Sequence, residues 1–235
     1  MNRLLSVALL ATLATACSKD PGRTEVGFGG AAGSPPLDAA PNQGDPTPHR
    51  NLSPAALFEI AQKHLNAGDV EAAIGHLDLA IQQLPGNASL YATRATAHSA
   101  DGHQARALAD IERAVQLAPN EPGLLTNRGQ ILRRFGREQD ARADFDSALG
   151  LVPDYYPALF NRGVLHFNHA ENQAALADFD AAVAAQPETA GAYYNRSFVY
   201  ETLGDLDAAR ADMQAFLERT KSSELAELAK THLAT

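Results

Sequence analysis

Residues 122–155 read PGLLTNRGQILRRFGREQDARADFDSALGLVPDY, and the reading of this stretch decides the fold. It holds two amphipathic segments of about a dozen residues with apolar residues at helical spacing, parted by Gly136. Pro153 punctuates its end, and the punctuation recurs: Pro85, Pro119, Pro153 and Pro187 stand 34 residues apart each time. Counting back from each proline gives frames that start at Pro54, Ala88, Pro122, Tyr156 and, by extension, Ala190. A proline-punctuated period of this length is the mark of a helix–turn–helix repeat array. Ser53-Pro54 adds an N-cap followed by proline at the first helical position.

The frames share a register. Position 4 is large (Leu57, Tyr91, Leu125, Leu159, Tyr193) and position 8 is small (Ala61, Ala95, Gly129, Gly163, Ser197). Position 15 is Gly68, Gly102, Gly136, Ala170 and Gly204, where glycine tolerates the left-handed backbone that ends a helix. Position 20 is alanine throughout (Ala73, Ala107, Ala141, Ala175, Ala209). Position 24 is Leu77, Ile111, Phe145, Phe179 and Met213, and position 27 is Ala80, Ala114, Ala148, Ala182 and then Phe216. This register resembles that of the tetratricopeptide repeats over residues 54–221. The resemblance implies an all-α fold, a right-handed superhelical α-solenoid of five hairpins with a C-terminal capping helix. A small residue at 8 facing alanine at 20 lets the two helices approach closely, while 4 and 24 fill the gap. One hairpin cannot bury its apolar face alone, so each must stack on the next. The last frame departs from the pattern. Lys221 replaces the proline, and Leu225, Leu228, Ala229 and Leu233 form the apolar face expected to cap repeat five.

Charge follows the same register. Position 7 carries Arg94, Arg128, Arg162 and Arg196, and position 23 carries Asp110, Asp144, Asp178 and Asp212. Repeat one has neither, with Ile60 and His76 in their places. Because the two types appear and vanish together, pairing is expected inside each repeat, bridging helices A and B. The alternative is that both are simply solvated, in which case an exposed pair contributes about 0–1 kcal/mol.

The N-terminus has a character of its own. Arg3 precedes an apolar run from Leu4 to Ala16 that is too short to span a bilayer but suits the h-region of a signal peptide. Leu13-Ala14-Thr15-Ala16-Cys17 resembles the lipobox of bacterial lipoproteins, although Ala14 stands where leucine is usual. That resemblance implies cleavage before Cys17 and acylation of its sulfur, with Ser18 pointing to the outer membrane. An ordinary signal peptide with a chance cysteine is the alternative. The following residues are dominated by Gly, Pro, Ala and Asp, with almost nothing to bury. The expected organisation is therefore a signal peptide at 1–16, a lipidated cysteine with a flexible Gly/Pro-rich linker at 17–50, and repeats within 51–221. The repeats are 54–87, 88–121, 122–155, 156–189 and 190–221, and the capping helix is 222–235.

The formal net charge of −9 makes binding to a phosphate backbone unfavourable, so no nucleic-acid partner is expected. No glycine-rich phosphate loop, H-E-x-x-H or G-x-S-x-G motif is present. His64, His98 and His166 all fall at position 11, a packing position in the family, and His166 with His169 lacks further ligands. No enzyme activity, cofactor or metal is expected. The family resemblance implies that helix A lines an inner groove. Asn127, Asn161 and Asn195 at position 6 offer donor and acceptor to a peptide backbone, or else bond a neighbouring helix. Phe160, Phe167, Tyr194 and Phe198 would form an aromatic floor, and Arg133 with Arg134 a cationic pair. The lysines and arginine of the family's carboxylate clamp are missing, with Phe58, Gln62, Thr93 and Thr126 at the groove positions. The expected function is a non-catalytic scaffold or adaptor of the cell envelope, lipid-anchored in the outer membrane and facing the periplasm. Its partners would be other envelope proteins or peptides. A receptor for a small ligand or glycan at the aromatic end is the alternative.

Overall fold

The computed structural model describes residues 51–233. The signal peptide, Cys17 and the linker lie outside the described residues. Eleven helices and no strands are found among those described. They are α1 (Pro54–Ala67), α2 (Val70–Gln83), α3 (Ala88–Ala100), α4 (Gln104–Leu117), α5 (Pro122–Arg134) and α6 (Glu138–Leu151). There follow α7 (Tyr156–Asn168), α8 (Asn172–Ala185), α9 (Ala190–Leu203), α10 (Leu206–Arg219) and α11 (Ser223–Leu233). Helix A of every frame thus begins on the residue that the proline period marks. The fold is an all-α helical repeat. Its residues group into two compact units, one ending at Asp144 and the other starting at Phe145.

Local chemistry fixes the helix ends. The Ser53 hydroxyl accepts from Ala56 N at 3.3 Å and the Asp69 carboxylate from Ala72 N at 3.2 Å. The Asn87 side chain accepts from Ser89 N at 2.9 Å. Each such cap satisfies an N–H that the helix leaves orphaned. Proline occupies the first turn of α1, α5 and α7, where it has no intrahelical partner to lose. The A–B turn takes one form throughout. Gly68 adopts φ +81° and its N–H reaches Leu65 O, while Asp69 N reaches His64 O. Repeat four builds the same turn on Ala170 at φ +60°, the one non-glycine residue with positive φ among those described.

The core of the unit ending at Asp144 is centred on Leu57, Ala61, Ala73, Leu77, Ala80 and Ile81, with Leu90 of the next repeat closing it. In the other unit Tyr193, Tyr194, Phe198, Met213 and Phe216 cluster with Ala229 of α11. The alanines at positions 20 and 27 are buried wherever they occur, so the helices of a hairpin touch through methyl groups. On α7 and α8 a glycine serves the same end. A Cβ added at Gly163 would stand 2.9 Å from Phe179 Cε1.

Candidate functional site

Position 7 of repeats two to five holds a cation whose geometry is the same each time. In the unit ending at Asp144, Arg94 donates from Nε to Asp110 Oδ2 at 2.7 Å and from Nη2 to Oδ1 at 2.6 Å. Arg128 grips Asp144 likewise, at 2.8 and 2.6 Å. In the unit from Phe145, Arg162 meets Asp178 at 2.9 and 2.7 Å, and Arg196 meets Asp212 at 2.7 and 2.8 Å. All four are bidentate, the strong form of an arginine–carboxylate contact. The four aspartates are buried. Hydrogen bonding to these carboxylates, against the opposing effect of burial, raises the pKa of Arg128, Arg162 and Arg196 above the ordinary guanidinium range.

Three of the arginines also reach backwards along the chain. Nη1 of Arg94 donates to Asp78 at 2.6 Å, that of Arg162 to Asp146 at 2.6 Å, and that of Arg196 to Asp180 at 2.7 Å. These second partners occupy position 25 of the preceding repeat, and sequence reasoning missed them. The signal was present: position 25 is Asp78, Glu112, Asp146 and Asp180, and it becomes Gln214 in repeat five, after which no further repeat brings a position-7 arginine. Each cation therefore ties a hairpin together and, where position 25 is aspartate, joins it to the hairpin before. This is architecture, with no reactive group left over.

The residues expected to line the groove divide between exposed and buried settings. Asn127 on α5 is half-exposed and donates to Thr96 Oγ1 of α3 at 3.4 Å, a long contact that leaves its oxygen available. Of the cationic pair, Arg134 is exposed and Arg133 half-buried, and between Asn127 and Arg133 stands Gln130, half-exposed and not among the residues expected from the sequence. Asn161 and Asn195 are a correction. They are only 6% and 2% exposed, and their amides donate to the carbonyls of Pro157 at 2.7 Å and Gly191 at 2.9 Å. Each amide is turned back onto its own helix, as a buried polar group must be satisfied locally.

The aromatic floor is a second correction. Phe160, Tyr194 and Phe198 are core residues rather than an open surface. Phe160 packs edge-on against Phe179, and Tyr194 stands 4.9 Å from Phe198 and 4.8 Å from Phe216, ring centre to ring centre. Phe198 also meets His232 of α11, which itself bonds Glu201 of α9. Phe167 is half-buried against the same cluster. The capping helix covers this end of the repeat, because its apolar face needs the rings of repeat five as much as they need cover. Among the described residues no group of three His, Cys, Asp or Glu is placed to hold a metal, and no helix is long and apolar enough to cross a membrane.

Family profiles described as tetratricopeptide repeat match residues 93–156 and 163–234. The chain belongs to the tetratricopeptide repeat family. No curated protein sequence matches it significantly. Among solved structures, the Pseudomonas aeruginosa protein pilF superposes with a TM-score of 0.69 at 18% identity, over 79% of this chain and 84% of that one. TTC0263, a thermophilic repeat protein of Thermus thermophilus, gives a TM-score of 0.67 at 19% identity, over 78% of this chain and 100% of that one. YrrB, described as a repeat protein with an unusual peptide-binding site, gives 0.53 at 20% identity over 74% and 90%. At these identities the likeness is one of fold. Tetratricopeptide repeats are protein-interaction modules, and a coarse role in protein–protein interaction follows from the family.

Within this frame the position-11 histidines sit in three different settings. His64 bonds Asp69 at 3.2 Å and stacks on His76 at 5.2 Å, the residue that replaces the position-23 aspartate. His166 bonds Glu171 and has Nε2 3.7 Å from Asp178. His98 is buried, its Nε2 is 3.9 Å from Asp110, and its Nδ1 has no hydrogen-bond partner among the described residues. Burial pushes the His98 pKa below its ordinary value of 6.5. The unfolded chain therefore binds the proton more readily, and this histidine subtracts stability as pH falls below about 6.5. His98→Phe restores an aromatic packing residue and removes the orphaned nitrogen, so it is expected to stabilise the fold by about 1 kcal/mol at pH 7.5. The gain should widen at pH 5.5, as measured by urea unfolding of both proteins at each pH. An equal or smaller gain at the lower pH would contradict this.

Proposed function

We propose that this protein is a non-catalytic adaptor of the bacterial cell envelope, exported by residues 1–16, anchored through a lipid on Cys17 and tethered by the linker to 50. It recruits a partner through an extended segment laid along the first helices of its repeats. One observation carries the binding reading: on α5, the side chains of Asn127, Gln130 and Arg133 keep polar groups that the repeat architecture does not consume, whereas each position-7 cation grips a buried aspartate. Donor and acceptor amides side by side suit a peptide backbone of any sequence. The aromatic residues that would favour a glycan or small-ligand receptor are packed in the core, which weighs against that reading.

Two experiments test the two halves separately. Labelling cells with an acyl-chain probe should mark the wild type and leave Cys17→Ala unmarked; labelling that survives the substitution removes the anchor. For the binding half, the wild-type protein and an Asn127→Ala/Gln130→Ala variant are cross-linked in envelope preparations. A partner recovered with the first and depleted at least several-fold with the second is the expected result. Equal recovery moves the partner off α5.

A further inference from the structure

Arg133 stands in the last turn of α5 with an environment unlike that of the position-7 arginines. It is half-buried, as they are, yet its guanidinium makes no hydrogen bond or ion pair among the described residues. Burial holds its pKa below the ordinary guanidinium value, and the attraction of Glu138 does not restore it. Arg219, by contrast, settles a similar burial by donating to the carbonyls of Pro187 and Ala215. A desolvated cation that no carboxylate pairs with directly is unfavourable, and an incoming anion relieves the loss. The guanidinium offers a planar fork of donors that fits a carboxylate through two parallel bonds. One turn back on the same helix, Gln130 is half-exposed and its side chain makes no hydrogen bond among the described residues, and the side chain of Asn127 beyond it makes only the long contact to Thr96.

We propose that Arg133 anchors the side-chain carboxylate of a single aspartate or glutamate in an extended partner peptide, while Gln130 and Asn127 bond the peptide backbone beside it. The proposal rests on the groove reading above and adds the chemistry of the ligand. The chain carries a formal net charge of −9, so a partner segment dense in acids would be repelled before contact. A lone acid flanked by neutral residues matches both facts: it is weakly repelled at a distance and paired on arrival.

The test is selection from a phage library of random dodecapeptides on the full mature chain. The enriched peptides are expected to share one Asp or Glu at a fixed register. A synthetic representative should bind at least about tenfold tighter than its Asn or Gln counterpart. In Arg133→Gln that difference should vanish while weaker binding of both peptides persists, and Arg134→Gln should keep it. Enriched peptides that lack a common acid, or an acid preference intact in Arg133→Gln, overturn the anchor. No enrichment on the wild type overturns the groove reading beneath it. Circular dichroism checks that Arg133→Gln keeps its helices. If it does not, Arg133→Lys decides: a discrimination reduced several-fold supports the fork, and an undiminished one overturns it.

Discussion

Replacing Arg162 with methionine is expected to lower the free energy of unfolding by about 2–4 kcal/mol, read from urea denaturation followed by circular dichroism. The arginine satisfies both oxygens of Asp178, a residue 5% exposed, and also holds Asp146 of the preceding repeat. Methionine keeps much of the apolar stem but leaves the Asp178 carboxylate buried with no bidentate donor. That uncompensated charge, rather than the lost attraction itself, dominates the penalty. Two comparisons separate the contributions. Asp146 is half exposed, so Asp146→Asn should cost about 1 kcal/mol or less. Removing both partners in Arg162→Met/Asp178→Leu should recover most of the loss, since no buried charge remains to be paired. An Arg162→Met variant within about 0.5 kcal/mol of wild type would mean that the pair behaves as a solvated surface contact.

Phe179→Ala is expected to cost more, about 3–5 kcal/mol, because its ring is fully buried between α7 and α8 and no neighbour can fill the space. Its partner makes a sharper test. Gly163→Ala should gain up to about 1 kcal/mol in helix propensity. Against this, the new methyl would stand 2.9 Å from Phe179 Cε1 and 3.1 Å from Cδ1, and a buried ring has nowhere to move. The overpacking outweighs the propensity, for a net loss of about 1 kcal/mol. In a Phe179→Leu background the same substitution should become stabilising. A reversal of sign between the two backgrounds, measured by a double-mutant cycle, is the expected result. The same sign in both would mean that the glycine is not there for the ring.

That coupling was also legible in the sequence. Glycine occupies position 8 in the two repeats with phenylalanine at position 24, Gly129 with Phe145 and Gly163 with Phe179. Where position 24 is Leu77, Ile111 or Met213, position 8 is Ala61, Ala95 or Ser197. Small and large trade volume in register. The helix starts were readable for a similar reason, since prolines, caps and turn glycines act within a few residues of where they stand. Ion pairing inside each repeat could be inferred from co-occurrence. The second carboxylate escaped because each arginine was assigned one partner, although a guanidinium has donors for two.

The groove was harder to read, and Asn161 and Asn195 show why. Their identity and register match Asn127, but whether an amide faces solvent depends on the helix that packs after it, and that is set elsewhere in the chain. Tyr194 and Phe198 look like a surface floor until α11 lies across Phe198. The histidines carry the same lesson. His98 and His64 share position 11, yet only His98 is closed off, and the exchange of Asp110 for His76 at position 23 changes what each ring meets. Repetition makes the scaffold predictable, and the proposed anchor Arg133 falls at a position where the repeats differ, with Leu65, Ser99, Phe167 and Glu201 in the other frames.

The most direct test places a photoactivatable cross-linking residue at Gln130, on the half-exposed face of α5, and in a second protein at Ala109, on an exposed position of α4. Both are irradiated in intact envelope. A partner protein captured from Gln130 and absent from Ala109 is the predicted result. Capture from Ala109 with none from Gln130 would contradict binding along the first helices of the repeats.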